Sequence, residues 1–249
     1  MSSCSPDQPI VSVADGRWAA VEALARWAHP TRGVLAPDPF LDVAEQTGAI
    51  VGIGEHTLRQ ACADGQRWAD LGHPVPVHVN ASATQLAHPR FVEVVRGRLD
   101  REGLDPRHLV VEITESTVLD SPAVHATLDE LVRLRLGLAL DDFGPVTPRS
   151  PRSAACRSTP SRSKSFVARS ASEPADQVVV EAIVQMAGRL GLHVAEGVET
   201  PAQQRYLEGA GIDAVQGYLH LPPVPAGEFA AWLFGSPASR STAARATVG

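Results

Sequence analysis

Residues 109–143 read LVVEITESTVLDSPAVHATLDELVRLRLGLALDDF. A short apolar run carries the acids Glu112 and Glu115 at its end. A helical stretch follows, with Val124, Leu128, Leu131 and Leu134 three or four positions apart, closed by Gly137. A second apolar run then ends at Asp141 and Asp142. Strand, helix and strand in one unit of about 30 residues imply parallel strands joined by a right-handed crossover.

The pattern repeats on both sides. Upstream, RWAAVEAL (17–24) ends near Glu22, and VPVHVN (75–80) ends at Asn80. Downstream, LHVAEGVE (192–199) carries Glu196 and Glu199, and IDAVQGYL (212–219) carries Gln216. Helical periodicity predicts helices over 37–48, 55–72, 88–103 and 177–191. Thr200, Pro201 and Gln203 supply an N-cap, a first-turn proline and a capping-box glutamine for another helix. So many units predict an α/β chain folded as a modified (β/α)8 barrel of the TIM type.

Composition narrows the class. The chain has 249 residues, 44% hydrophobic, enough to bury a core without disulfide staples. No apolar run is long enough to span a membrane, and residues 1–13 lack the pattern of a secretory signal. Cys4, Cys62 and Cys156 lie far apart, which suits a reduced, cytoplasmic protein. A net charge of −6 argues against binding nucleic-acid polymers. The nine histidines form no HExxH or similar pair, so packing and surface roles are expected of them.

In such a barrel, residues at the C-terminal ends of the strands share one rim. Glu22, Asn80, Glu112, Asp141, Asp142, Glu196 and Gln216 are predicted to gather there. An isolated acid at a strand end is most simply a helix N-cap. Five on successive strand ends repel one another unless a cation intervenes. Oxygen donors of this kind suit Mg²⁺ or Mn²⁺, and paired ions are a common device for phosphodiester hydrolysis.

These residues fall in a known order. EALARW (22–27) resembles the EAL-x-R-W signature of EAL-type cyclic di-GMP phosphodiesterases. HPTRGVLAPDPFLDVAEQTGAI (29–50), VHVNASATQL (77–86), LVVEITES (109–116), LALDDFG (138–144), HVAEGVET (193–200) and VQGYLHLPPVPAGEF (215–229) follow as in that family. The resemblance implies an EAL domain over 8–234, between an N-terminal extension (1–7) and a disordered tail (235–249). It also implies metal-dependent hydrolysis of cyclic di-GMP to linear pGpG. Carried over by residue, Glu22, Asn80, Glu112, Asp141, Asp142 and Glu196 match metal-site positions, with Glu22 and Glu196 also catalytic. Arg26 resembles the substrate-phosphate arginine; Leu24, Gln8 and Gln216 fall at pocket positions. Glu115 matches a glutamate that orders the loop after DDFG, its plainer alternative being a helix N-terminal charge.

One stretch departs from the family. After Gly144 the family continues T-G-Y-S-S-L and then a strand ending in K-I-D, the source of a catalytic lysine. Here GPVTPRSPRSAACRSTPSRSKS (144–165) stands instead, rich in Pro, Ser and Arg and free of acids. Counting from either side puts Arg162 or Ser161 at the lysine position; Lys164, the one lysine of the chain, fits neither count. A family-like stretch ending LPVDAVKID, read one base out of frame, would give CRSTPSRS, the sequence of 156–163. The segment 145–165 is therefore read as frameshifted, with one barrel strand missing or disordered. Asp7 also stands where the family has an aromatic residue, which suggests an artificial start and an upstream sensory or cyclase-like domain. The family's T-G-Y-S-S-L loop links the metal site to a homodimer interface. Two readings stay open: a weakened phosphodiesterase, and an inactive module that binds cyclic di-GMP or a protein.

Overall fold

A computed structural model describes residues 6–114, 122–141, 194–210 and 212–234. In chain order the strands are β1 (Pro6–Ser12), β2 (Trp18–Ala23), β3 (Trp27–His29), β4 (Gly33–Leu35), β5 (Val77–Asn80), β6 (Leu109–Thr114), β7 (Gly137–Asp141), β8 (Val194–Ala195), β9 (Ala214–Val215) and β10 (Val224–Pro225). The helices are α1 (Asp38–Thr47), α2 (Ala49–Asp70), α3 (Ala83–Leu86), α4 (Phe91–Glu102), α5 (Pro122–Arg133), α6 (Pro201–Ala210) and α7 (Ala226–Phe234).

Eight strands form one curled sheet in the order β7-β6-β5-β2-β1-β9-β8, with β10 also on β1. The expected parallel pairing holds from β2 through β5 and β6 to β7, and between β8 and β9. It fails at β1, which runs antiparallel to β2, β9 and β10. The reason is the connection: residues 13–17 make a tight turn, closed by Ser12 N–H donating to the Arg17 carbonyl at 2.8 Å. Gly16 within it sits at φ 66°. A parallel return needs a crossover of a dozen residues or more. Asp7, read from sequence as part of the extension, lies inside β1 opposite Ala23 and Val224.

Alternation along the strands sorts the two faces. Val21, Ala23, Val77, Val79, Leu109, Val111 and Ile113 pack outward against helical residues such as Leu58, Trp68, Val95 and Leu99. Ile10, Ala20 and Ala214 form a separate small cluster on the inner face. Gln8, Glu22, His78, Asn80 and Glu112 fall on that same inner face, two residues from an inward neighbour or opposite one. A second outer core, of Val11, Ala195, Val198, Leu207, Ile212 and Val215, lies under α6.

Most helix signals carry through, but Gly137, expected to close a helix, instead opens β7, and the left-handed residue after α5 is Arg135 at φ 68°. Gly48 and Gly103 end α1 and α4 in the left-handed conformation. Thr200 Oγ1 accepts from Gln203 N–H at 3.3 Å, while Gln203 Oε1 accepts from Thr200 N–H at 2.8 Å. This is the expected capping box. The β3–β4 hairpin was not anticipated; its Trp27 stacks edge-on against Phe40 of α1 at 5.9 Å. Among the described residues β7 and β8 do not pair. Glu115, Asp142, the segment 145–165, the helix predicted over 177–191 and the tail 235–249 lie outside the described residues.

Candidate active site

Glu22 is the centre of the inner rim. It lies one residue from the end of β2 and is 5% exposed. Both carboxylate oxygens are held: Asn80 Nδ2 donates to Oε1 at 2.8 Å and Gln216 Nε2 donates to Oε2 at 2.7 Å. Asn80 ends β5, the parallel neighbour of β2, while Gln216 follows β9 on the far side of β1. Between them Gln8 of β1 stands opposite Glu22 in register, 1% exposed, its amide donating to the Leu221 carbonyl at 3.3 Å.

Backbone contacts fix Gln216. Its N–H donates to the Ala195 carbonyl at 2.8 Å, and its carbonyl accepts from Val198 N–H at 3.0 Å. The loop at 196–199, which carries half-buried Glu196, is thereby laced to the end of β9. The next residue must be glycine. A Cβ on Gly217 would lie 2.1 Å from the Val198 carbonyl oxygen, well inside contact distance.

On the other flank Glu112 of β6 pairs in register with Asn80 and is 8% exposed. Its Oε1 lies 2.6 Å from Nδ1 of His78, itself 8% exposed. Burial pushes the His78 imidazole down to about 4, against the opposing pull of Glu22. At neutral pH the ring is therefore uncharged. The contact is a hydrogen bond from Nδ1–H to a carboxylate, which can only accept. Sequence reasoning grouped His78 with the packing histidines. Its alternation with Asn80 on β5 was the signal that places it on the inner face.

Arg26, in the turn after β2, is half-buried and donates from a guanidinium nitrogen to the Ala25 carbonyl at 2.9 Å. Leu24, also half-buried, lies in the same turn. Asp141 ends β7, with its backbone opposite Thr114 of β6. Asn80, Glu112 and Asp141 thus fall at or near the ends of three successive parallel strands, as the sequence implied.

The chemistry of this set suits a hard divalent cation. Glu22 is a buried carboxylic side chain whose two hydrogen-bond donors are amides rather than cationic groups. Among the described residues no three His, Cys, Asp or Glu side chains converge as a ligand group. Asp142 and the side chain of Asp141 are not among them.

The EAL domain family matches over residues 8–223. The chain belongs to the EAL domain family. This EAL domain is 42% identical over 225 residues to MucR of Pseudomonas aeruginosa, a bifunctional diguanylate cyclase/cyclic di-GMP phosphodiesterase, covering 88% of this chain and 33% of MucR. It is 38% identical over 227 residues to the cyclic di-GMP phosphodiesterase NbdA of the same organism, covering 88% and 28%. A solved structure of the PaMucR phosphodiesterase in complex with c-di-GMP superposes with a TM-score of 0.80 at 40% identity, covering 91% of this chain and 94% of that one. The EAL domain thus spans about a third of the length of these two relatives. No described helix is long and apolar enough to cross a membrane.

Proposed function

We propose that this EAL domain hydrolyses cyclic di-GMP to linear pGpG in the cytoplasm, in a metal-dependent reaction weakened by the altered segment after DDFG. The observation that carries the reading is Glu22, buried at the strand-end rim and oriented through both oxygens by Asn80 and Gln216. Family membership and the c-di-GMP bound to the related MucR phosphodiesterase support the substrate class.

Glu22, Asn80, Glu112, Asp141, Asp142 and Glu196 would hold Mg²⁺ or Mn²⁺. When bound there, such ions would supply Lewis-acid polarisation of the phosphodiester and charge neutralisation. The chain's own work is positioning. Amides from the end of β5 and from Gln216, just after β9, keep the Glu22 carboxylate from rotating, so little order is lost when the site loads. Arg26 supplies a planar guanidinium for a substrate phosphate, a geometry that a lysine ammonium lacks. Gln8, Leu24 and Gln216 shape the pocket, and Glu115 orders the adjoining loop. A homodimer and an upstream sensory or cyclase-like domain complete the proposal.

The absence of a K-I-D lysine supports a second reading, a module that binds cyclic di-GMP or a protein without turning the nucleotide over. Losing a positioned group of this kind costs about 10²–10⁴ in rate. Purified protein with cyclic di-GMP and Mn²⁺, assayed for pGpG beside Glu22→Ala, tests both. Product that vanishes in the variant supports hydrolysis. Tight binding without product favours the second reading, and neither binding nor product refutes both.

A further inference from the structure

We infer that His78 is a positioning residue for Glu112: its imidazole N–H fixes the carboxylate rotamer that the metal site requires. The inference rests on the metal-dependent reading above and adds a residue to it.

Three observations support it. The contact is short, 2.6 Å, and both partners are at least nine-tenths buried, so water competes poorly for either. The geometry comes from the sheet: His78 lies two residues before Asn80 on β5, and Asn80 is the register partner of Glu112 on β6. The imidazole thus reaches the carboxylate from one pleat below the rim. The arrangement on the other flank is analogous, with amide donors from Asn80 of β5 and from Gln216, just after β9, holding Glu22. Both rim carboxylates are thus oriented by N–H donors from neighbouring segments of the sheet, which fix their direction.

A carboxylate hydrogen-bonded at one oxygen has one rotamer to offer a metal, and outer partners of metal ligands commonly affect affinity 10- to 100-fold. Leucine at 78 keeps the volume and removes the donor. Asparagine keeps a donor, since its side-chain nitrogen falls close to the place of Nδ1.

The experiment is Mn²⁺ titration of the full chain, followed by electron paramagnetic resonance of the free ion, for wild type, His78→Leu and His78→Asn. The expected result is an affinity about 10- to 100-fold weaker for His78→Leu, with His78→Asn close to wild type. Wild-type binding with His78→Leu unchanged overturns the inference alone. Failure of the wild type to bind Mn²⁺ overturns the metal-dependent reading and this inference with it. Nitrogen-15 spectra of the wild-type imidazole give a second measurement independent of variant folding. A proton on Nδ1 is expected, and one on Nε2 alone refutes the hydrogen bond.

Discussion

Gln216 and Glu22, 194 positions apart in the chain, meet at 2.7 Å, the amide Nε2 donating to the carboxylate Oε2. The bond spans the antiparallel strand β1 and ties the last segment of the sheet to its first parallel strand. Gln216→Leu leaves a buried carboxylate oxygen without that donor, and a loss of about 1–3 kcal/mol is expected in urea unfolding. Gln216→Glu places two carboxylates where like charges cannot both ionise. One folded-state pKa then lies above its unfolded value, so the variant is favoured at low pH and loses stability as pH rises. Its deficit against wild type should be larger at pH 8 than at pH 5. Equal deficits at the two pH values would show that the carboxylates do not meet.

Gly217 gives a sharper structural test, because the obstacle to a side chain is backbone. A Cβ there meets the Val198 carbonyl at 2.1 Å and the Val198 nitrogen at 2.4 Å. Gly217→Ala must push apart the loop that carries Glu196 and the strand end that carries Gln216. A loss of about 2–4 kcal/mol is expected, together with weakened cyclic di-GMP binding. Gly209→Ala is the control. That position, inside α6, has nothing within 4 Å, and alanine should stabilise the helix by about 0.5–1 kcal/mol. Matched melting curves for the two variants decide it.

The rim was legible because strand-end acids interrupt otherwise apolar runs, and a parallel sheet brings such ends to one side. Glu22, Asn80 and Glu112 fell where that rule put them. The direction of β1 was not legible, since alternation carries face but no direction; only the five-residue turn at 13–17 decides it. His78 was missed for a related reason. A lone histidine in VHVN reads as ordinary strand filler until Glu112, 34 residues later, is found beside it. Its shared face with Asn80 was available from the period of two alone.

Asp7 predicts an unusual pH dependence of stability. Its carboxyl is 2% exposed, and its Oδ2 has no hydrogen-bond partner among the described residues. Burial, reinforced by the charge of Asp64, pushes it from 3.8 up to about 8. Asp64 is also raised by burial, although Gln60 and Arg67 oppose the shift. A folded pKa above the unfolded one means that the native state holds a proton the unfolded chain has released. Stability from this group is full below about pH 4 and is lost as pH climbs toward 8. Asp7→Asn should therefore be more stable than wild type at pH 8, by on the order of a few kcal/mol, with the gap closing toward pH 4. Melting temperatures across that range test it; a gap that widens toward acid would reverse the assignment.

The altered segment makes the most consequential prediction. Residues 144–165 lack both T-G-Y-S-S-L and K-I-D, whereas the motifs on either side, LALDDFG and HVAEGVET, are intact. Gradual divergence would be expected to erode neighbouring motifs as well; a local loss of frame would not. The coding DNA should therefore contain a T-G-Y-S-S-L-like reading in the adjacent frame. A chain recoded to that frame regains the K-I-D lysine, and its rate of pGpG release under saturating cyclic di-GMP and Mn²⁺ should rise about 10²–10⁴-fold. Arg162→Lys or Ser161→Lys alone should recover far less, because neither restores the T-G-Y-S-S-L and K-I-D sequences around the ammonium. A recoded chain no faster than the original would place the weakness elsewhere in the site, and DNA with no such reading in the adjacent frame would remove the frameshift altogether.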